Sequence, residues 1–125
     1  MDYGVVIAKS DSFYAGTGAL YVLHGEYMVI YGELESVSGI HEGSIVHQGE
    51  KLGTMKRSNQ QTLMLHLEIY RFNNNVLDSR TDNNRINPTF TWYLPRRNRS
   101  ENINKKGTLY RYFGHSNLVY FDDIM

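Results

Sequence analysis

The chain has 125 residues, no cysteine and no net formal charge at neutral pH. That length suits a single domain with a real hydrophobic core, and an apolar fraction of 41% with ten tyrosines is typical of an ordered globular chain. The composition excludes a disulfide framework and a thiolate metal site, and the zero net charge argues against general attraction to nucleic acid or to a membrane surface.

Neither a membrane span nor an export signal is predicted. No stretch approaches the roughly 18 apolar residues that a bilayer requires. The acidic start Met1-Asp2-Tyr3 lacks the basic region and the apolar run of a signal peptide. The location therefore stays open, with a phage particle, or the cell envelope if the sequence is a fragment, as alternatives.

Short alternating segments between turn residues predict an all-β fold built on an antiparallel sheet. The predicted strands are residues 4–9, 19–23, 27–34, 52–56, 63–72, 108–113 and 118–121. We expect a turn-rich connection at residues 10–18, polar loops at residues 73–75 and 82–84, and a final hairpin made by the last two strands. No segment has a convincing helical period.

Strict alternation in the strand at residues 63–70, LMLHLEIY, assigns its side chains to two faces. One face is apolar and should be buried: Leu63, Leu65, Leu67 and Ile69. The other should line a groove: Met64, His66, Glu68 and Tyr70. In residues 27–34, the same alternation predicts one face with Tyr27, Val29, Tyr31 and Glu33. It predicts the opposite face for Met28, Ile30 and Leu34.

A basic segment follows these strands. Its six basic residues stand against the single acidic Glu101 and are Arg96, Arg97, Arg99, Lys105, Lys106 and Arg111. One interpretation is a solvated loop. The other is a contact surface for an acidic partner, with Tyr110, Tyr112 and Phe113 as aromatic anchors.

Four phrases in order resemble the lysostaphin-type (LytM) zinc endopeptidases. They are YMVIYGEL at residues 27–34, the glycine-rich IHEGSIVHQGEKLG at residues 40–53, the strand containing LHLE, and INPT followed by WYL. The family reads roughly V-x-I-x-Y-x-H-L, then V-x-x-G-x-x-V-x-x-G-x-x-I-G, H-x-H-F-E and N-P-x-x-Y-L. The resemblance covers about residues 4 to 94 and implies the all-β fold of these peptidases, the duplicated hybrid motif.

The resemblance also implies which functional positions differ. His66 takes the place of the second His of H-x-H and is the one retained zinc-ligand position, expected to be unoccupied. Met64 stands where the family has the first His, and Glu33 where it has the His of Y-x-H-L. Those histidines handle protons and stabilise an oxyanion, which a thioether cannot do. The H-x-x-x-D motif that supplies the other two ligands is absent, whereas a catalytic zinc normally takes three protein ligands.

We therefore predict a catalytically inactive LytM-like module with a binding or assembly role and no cofactor. A protein partner or a larger assembly is expected, with peptidoglycan as an alternative ligand. Residues 1–94 would form the LytM-like part, lacking its N-terminal metal-binding segment, and residues 95–125 a basic loop and hairpin extension. The predicted binding residues are Tyr31, Glu33, Met64, His66, Glu68, Arg96, Arg97, Arg99, Lys105 and Lys106.

Two other functions stay open. One is a zinc endopeptidase that cleaves peptidoglycan cross-bridges and takes its missing ligands from outside this chain. The other is a small all-β subunit of a virion or another large complex, related to the family by fold alone.

Overall fold

The protein is an antiparallel β structure with very little helix. The computed structural model describes residues 3–14, 16–35, 39–56, 64–88, 100–112 and 118–121. Its strands are β1 (Tyr3–Tyr14), β2 (Thr17–His24), β3 (Tyr27–Leu34), β4 (Ile45–His47), β5 (Lys51–Thr54), β6 (Met64–Arg71), β7 (Arg85–Ile86), β8 (Ser100–Ile103), β9 (Leu109–Tyr112) and β10 (Leu118–Tyr120). A single helical turn, α1 (Val76–Ser79), and a 3-10 turn (Asp82–Asn84) lie between β6 and β7. The predicted all-β fold is confirmed.

Eight strands form one antiparallel sheet in the order β4-β1-β2-β3-β6-β9-β8, with β7 also paired to β6. The strands β5 and β10 form a separate antiparallel pair. Strand β6 lies between β3 and β9, so its side chains are flanked on both sides over much of its length. This central place explains how one strand can contribute both to the core and to a polar cluster.

The alternation predicted for this strand is confirmed over residues 64–70, and Leu63 lies outside the described residues. Leu65, Leu67 and Ile69 are at most 2% exposed and belong to the larger core cluster. That cluster joins the large sheet to the β5–β10 pair through residues such as Leu52 and Val119. His66, Glu68 and Tyr70 point to the opposite face. On that face a smaller apolar cluster contains Ala19, Tyr21, Met28, Ile30 and Tyr70.

The alternation predicted for the end of β3 is wrong, because the strand bulges at Glu33. Gly18 pairs with Leu34 and Ala19 with Gly32, which leaves Glu33 as the extra residue, with a φ of 62°. A bulge reverses the faces of the residues that follow it. Leu34 consequently packs in the larger core cluster beside Tyr31, which is fully buried.

Two connections differ from the prediction. Strand β1 continues through Tyr14, across the segment expected to be turn-rich, and absorbs its polar residues with register shifts near Ala8 and Tyr14. The prediction of a final hairpin between the last two strands is wrong, since β9 pairs with β6 and β8 while β10 pairs with β5. Pairing with β6 places Leu109 in the larger core cluster, a burial that an isolated terminal hairpin would not provide.

Candidate functional site

The site is built on the face of β6 that carries His66, Glu68 and Tyr70. The segment after the strand returns across this face, bringing Arg80 and Arg85 to Glu68. The Glu68 side chain is 4% exposed and Tyr70 is fully buried, whereas the His66 side chain is 14% exposed. The predicted groove is therefore closed over Glu68 and Tyr70, and His66 lies at its accessible end.

Both carboxylate oxygens of Glu68 are hydrogen-bonded. Oε1 accepts from the Tyr70 hydroxyl and from Arg85 Nη1, the latter at 3.4 Å. Oε2 accepts from Arg80 Nη2 at 3.0 Å and lies 2.6 Å from His66 Nε2. A buried carboxylate is stable only when such partners replace the lost water, so these side chains form one unit, here called the Glu68 cluster (His66, Glu68, Tyr70, Arg80 and Arg85).

Hydrogen bonding dominates the electrostatics of this cluster. Burial alone would raise the pKa of Glu68, but the bonds from His66, Tyr70 and Arg80 lower it to about 2. Burial and the bond to Glu68 raise the pKa of Tyr70 to about 12. Burial opposes ionisation of Arg80, yet its contact with Glu68 leaves the pKa of the guanidinium raised. At neutral pH the cluster therefore contains an ionised carboxylate, a neutral phenol and charged guanidinium groups.

Aromatic rings enclose His66. The ring centroids of Phe13 and Tyr110 lie 5.1 and 5.0 Å from that of the imidazole, both in edge-to-face geometry. Phe13 can take this place because Gly32 lies beneath it: a Cβ on Gly32 would come within 2.4 Å of the Phe13 ring. The Arg80 guanidinium lies 5.5 Å from the Phe13 centroid, so Phe13 connects the enclosure of His66 with the Glu68 cluster.

Glu33 and Met64 lie at the same end of the face as His66. In the sheet, Gly32 pairs with His66, and the bulge at the next residue brings the Glu33 carboxylate within electrostatic reach of the imidazole. Burial raises the pKa of Glu33, and the interaction with His66 partly offsets this rise. Met64 is partly buried, two residues before His66 on the same face. The two substituted family positions are thus close to the one retained position.

The described residues do not fit a zinc centre. Within the part of the chain that the structure describes, no group of three or more His, Cys, Asp or Glu side chains could hold a metal ion. His66 Nε2 is already in contact with Glu68, and His24, His41 and His47 lie on β2, at the start of the glycine-rich phrase and on β4. A tetrahedral zinc site needs three protein ligands around an open position.

The other predicted site residues are distributed differently. Tyr31 was predicted to be a binding residue, but it belongs to the core, on the side of the sheet away from His66. Lys105 and Lys106 are exposed in the turn between β8 and β9. Arg96, Arg97 and Arg99 lie outside the described residues. Among the residues the structure describes, no helix is long and apolar enough to cross a bilayer.

Sequence reasoning missed Phe13, Arg80 and Arg85. Phe13 lies in the segment predicted to be turn-rich, and Arg80 and Arg85 lie beside the polar residues 82–84, where no periodic pattern assigns a face. One signal was available: a glutamate within an apolar strand must find cationic or hydrogen-bonding partners if it is buried. That signal demands a partner without saying which residue supplies it.

Comparison with known proteins agrees with the motifs and the fold. The chain matches no curated protein and no solved structure. The family model described as Peptidase family M23 matches residues 1–88, which is well over half of the chain and includes Glu33, Met64 and His66. The resemblance to the LytM-type peptidases is therefore confirmed, and the chain belongs to peptidase family M23.

Proposed function

We propose that this M23 domain is catalytically inactive and serves as a binding or assembly module in a cell-wall or phage-particle setting. The observation that carries the proposal is the state of His66. Its Nε2 contacts the buried carboxylate of Glu68 at 2.6 Å, inside an aromatic enclosure, and it belongs to no set of three ligands among the described residues.

The two substituted positions support the same proposal. Met64 carries a thioether, which neither donates nor accepts a proton in the pH range of proteins. Glu33 could act as a base, and burial raises its pKa, but a carboxylate cannot stabilise a developing oxyanion. Peptide hydrolysis needs an activated water and stabilisation of the developing oxyanion. Met64 and Glu33 together do not meet both needs.

Conversely, the Glu68 cluster has the character of a structural unit. Its one carboxylate is paired with both guanidinium groups, and Tyr70 and Glu68 are closed off from solvent. Such a network orders the segment between β6 and β7 over the sheet and gives the surface above it a fixed shape. A fixed surface lowers the entropic cost of binding a partner.

A peptidoglycan digestion assay tests the proposal. Purified wild type, His66→Ala and Met64→His are incubated with cell-wall sacculi at increasing zinc concentration, with an active M23 endopeptidase as positive control. We expect no release of peptide fragments by any of the three variants, because Met64→His restores one proton-handling group and no complete ligand set. Zinc-dependent cleavage by wild type that is lost in His66→Ala would contradict the proposal.

That contradictory result would support the second candidate, a zinc endopeptidase, with the ligands from outside this chain supplied by a second copy of it. One observation favours it: His66 keeps the family's ligand position, and an ionisable carboxylate, Glu33, lies within electrostatic reach of its imidazole. The two candidates therefore differ in a single measured activity.

A further inference from the structure

A second polar site lies apart from His66, in a cleft of about 460 Å³ between the 3-10 turn and the β8–β9 turn. One wall contains Asp82, Arg85 and Asn87, and the other contains Asn104, Lys105, Lys106 and Gly107. Three of these side chains are cationic and one is acidic. The cleft is thus a local concentration of positive charge in a chain with no net charge.

The wall that carries the lysines is a tightly hydrogen-bonded turn. The Asn104 side-chain oxygen accepts from the backbone N–H of Lys106 at 2.9 Å and of Thr108 at 3.0 Å. The Gly107 N–H donates to the Asn104 carbonyl, and Gly107 adopts a φ of 79° that favours glycine. The positions from which both lysine side chains project are therefore fixed before any ligand arrives.

Arg85 forms the base of the opposite wall and is held just as firmly. Its Nη1 donates to Thr108 Oγ1 at 3.0 Å and to Glu68, and its guanidinium lies 4.9 Å from the centroid of the Tyr70 ring. Its Nη2 lies 3.7 Å from Asp82, beyond hydrogen-bond distance, and its buried Nε has no hydrogen-bond partner among the described residues. Arg85 is therefore a fixed cation in the wall of the cleft, and its charge is shared with Glu68 and Asp82.

The two lysines differ from Arg85, which contacts Glu68 and Asp82. Within the described part of the chain, neither ammonium group has a carboxylate within ion-pair distance. Three cationic side chains against the single carboxylate of Asp82 give the cleft an excess of positive charge, which attracts an anionic ligand. We propose that this cleft binds carboxylate side chains of an acidic peptide segment in a protein partner.

A peptide fits the cleft better than a nucleic acid does. Asp82 lies in the cleft, where its carboxylate could accept a hydrogen bond from a peptide N–H, a donor that a phosphodiester backbone does not have. Nucleic acids that bind without sequence preference need an extended cationic groove, usually with aromatic stacking platforms. None of the described residues that line the cleft is aromatic.

This inference rests on the proposed function, since it supplies the ligand class for the binding module. The two fail separately, because one is tested by hydrolysis of cell wall and the other by binding of a peptide. A domain that hydrolysed peptidoglycan could still have this cleft.

The test is a binding titration with a short glutamate peptide. An acetylated and amidated glutamate hexamer, labelled with a fluorophore, is titrated with wild type and with Lys105→Gln/Lys106→Gln at low and at physiological salt. A glutamine hexamer and a short oligothymidine serve as the other probes. We expect the glutamate hexamer to bind wild type below about 1 mM, and the double variant to bind roughly fivefold more weakly.

The matched control is Lys51→Gln/Arg71→Gln, which removes the same charge from exposed positions outside the cleft. It should bind within about twofold of wild type, and circular dichroism should show all variants folded. Equal weakening by the control, equal binding of the glutamine hexamer, or no binding of the glutamate hexamer would overturn the proposal. Tighter binding of oligothymidine that depends on Lys105 and Lys106 would overturn it in favour of nucleic acid.

Discussion

Two glutamates lie near His66 on one face of the sheet, and their surroundings shift their pKa values in opposite directions. Glu68 is almost fully buried, yet its pKa falls to about 2 because several donors converge on it. Glu33 is only partly buried, yet burial raises its pKa, and the interaction with His66 offsets this rise only in part. Burial alone therefore does not set the direction of a carboxylate's pKa shift on this face. At Glu68 the hydrogen-bond donors reverse the effect of burial.

This difference separates two ends of the face. The end at Glu68 is structural, and the end at Glu33 contains the positions at which this chain differs from the family motif. Arg80 and Arg85 reach Glu68 because residues 72–86 return over the sheet. Nothing comparable in the described chain reaches Glu33. The end at Glu68, where donors reach the carboxylate, should contribute to the stability of the fold. The end at Glu33, where they do not, should detract from it.

The largest expected effect is loss of the Glu68 carboxylate. Glu68→Ala should lower the free energy of unfolding by about 3 kcal/mol, because removal of one member of a buried ionic network leaves the others without partners. Arg80 is 40% exposed and can regain water, which keeps the cost near the lower end of the usual range. Urea unfolding followed by circular dichroism measures the change. The control is Glu42→Ala at an exposed position, which should stay within about 0.5 kcal/mol of wild type. If Glu42→Ala lowered the free energy of unfolding as much as Glu68→Ala, the special role of Glu68 would be contradicted.

Acid should destabilise the protein through the same group. The folded-state pKa of Glu68, about 2, lies below its ordinary value of 4.5. Its contribution is therefore fully present above about pH 4.5 and is lost as the pH falls towards 2. Urea midpoints measured across this window should fall more steeply for wild type than for Glu68→Gln. Parallel profiles would show that Glu68 is not held ionised by its donors.

A smaller effect is expected where Phe13 joins the two ends of the face. Gly32→Ala places a methyl group within 2.4 Å of the Phe13 ring and should cost about 2 kcal/mol by overpacking. In a Phe13→Ala background the same substitution should cost much less, since the clashing ring is gone. Equal costs in the two backgrounds would show that Phe13 does not lie over Gly32 in solution.

The smallest effect concerns Glu33. A raised pKa means that ionisation of Glu33 destabilises the fold once the pH exceeds its ordinary value of 4.5, whereas below that pH the group is neutral in both states. Glu33→Gln should therefore slightly raise the urea midpoint at pH 7 and leave it unchanged at pH 3. A lower midpoint at pH 7 would show that the Glu33 carboxylate has a stabilising partner.

Much of the fold could be predicted because β6 alternates without interruption. Leu65, Leu67 and Ile69 had to share a buried face, and that placed His66 on the other. The bulge at Glu33 could not be predicted, because one inserted residue reverses a face without changing the local composition. For this reason Leu34 was assigned to the wrong face, and Tyr31, which packs in the core, was grouped with Glu33.

The site was harder to predict than the sheet. Glu68 was recognised as a member of the polar face, but its partners Arg80 and Arg85 come from a segment with no periodic pattern. The pairing of β9 with β6, which brings Tyr110 to His66, is a long-range contact that local alternation does not encode. Sequence therefore indicated which side chains share a strand face, while the chain's return over that face decided what they contact.

The most direct test of the central claim is the zinc content of the purified protein after dialysis against zinc-free buffer, measured by mass spectrometry for wild type and His66→Ala. If His66 serves the Glu68 cluster and not a metal centre, both proteins should contain far less than one zinc per chain, at the same level. One zinc per wild-type chain, absent from His66→Ala, would contradict this account.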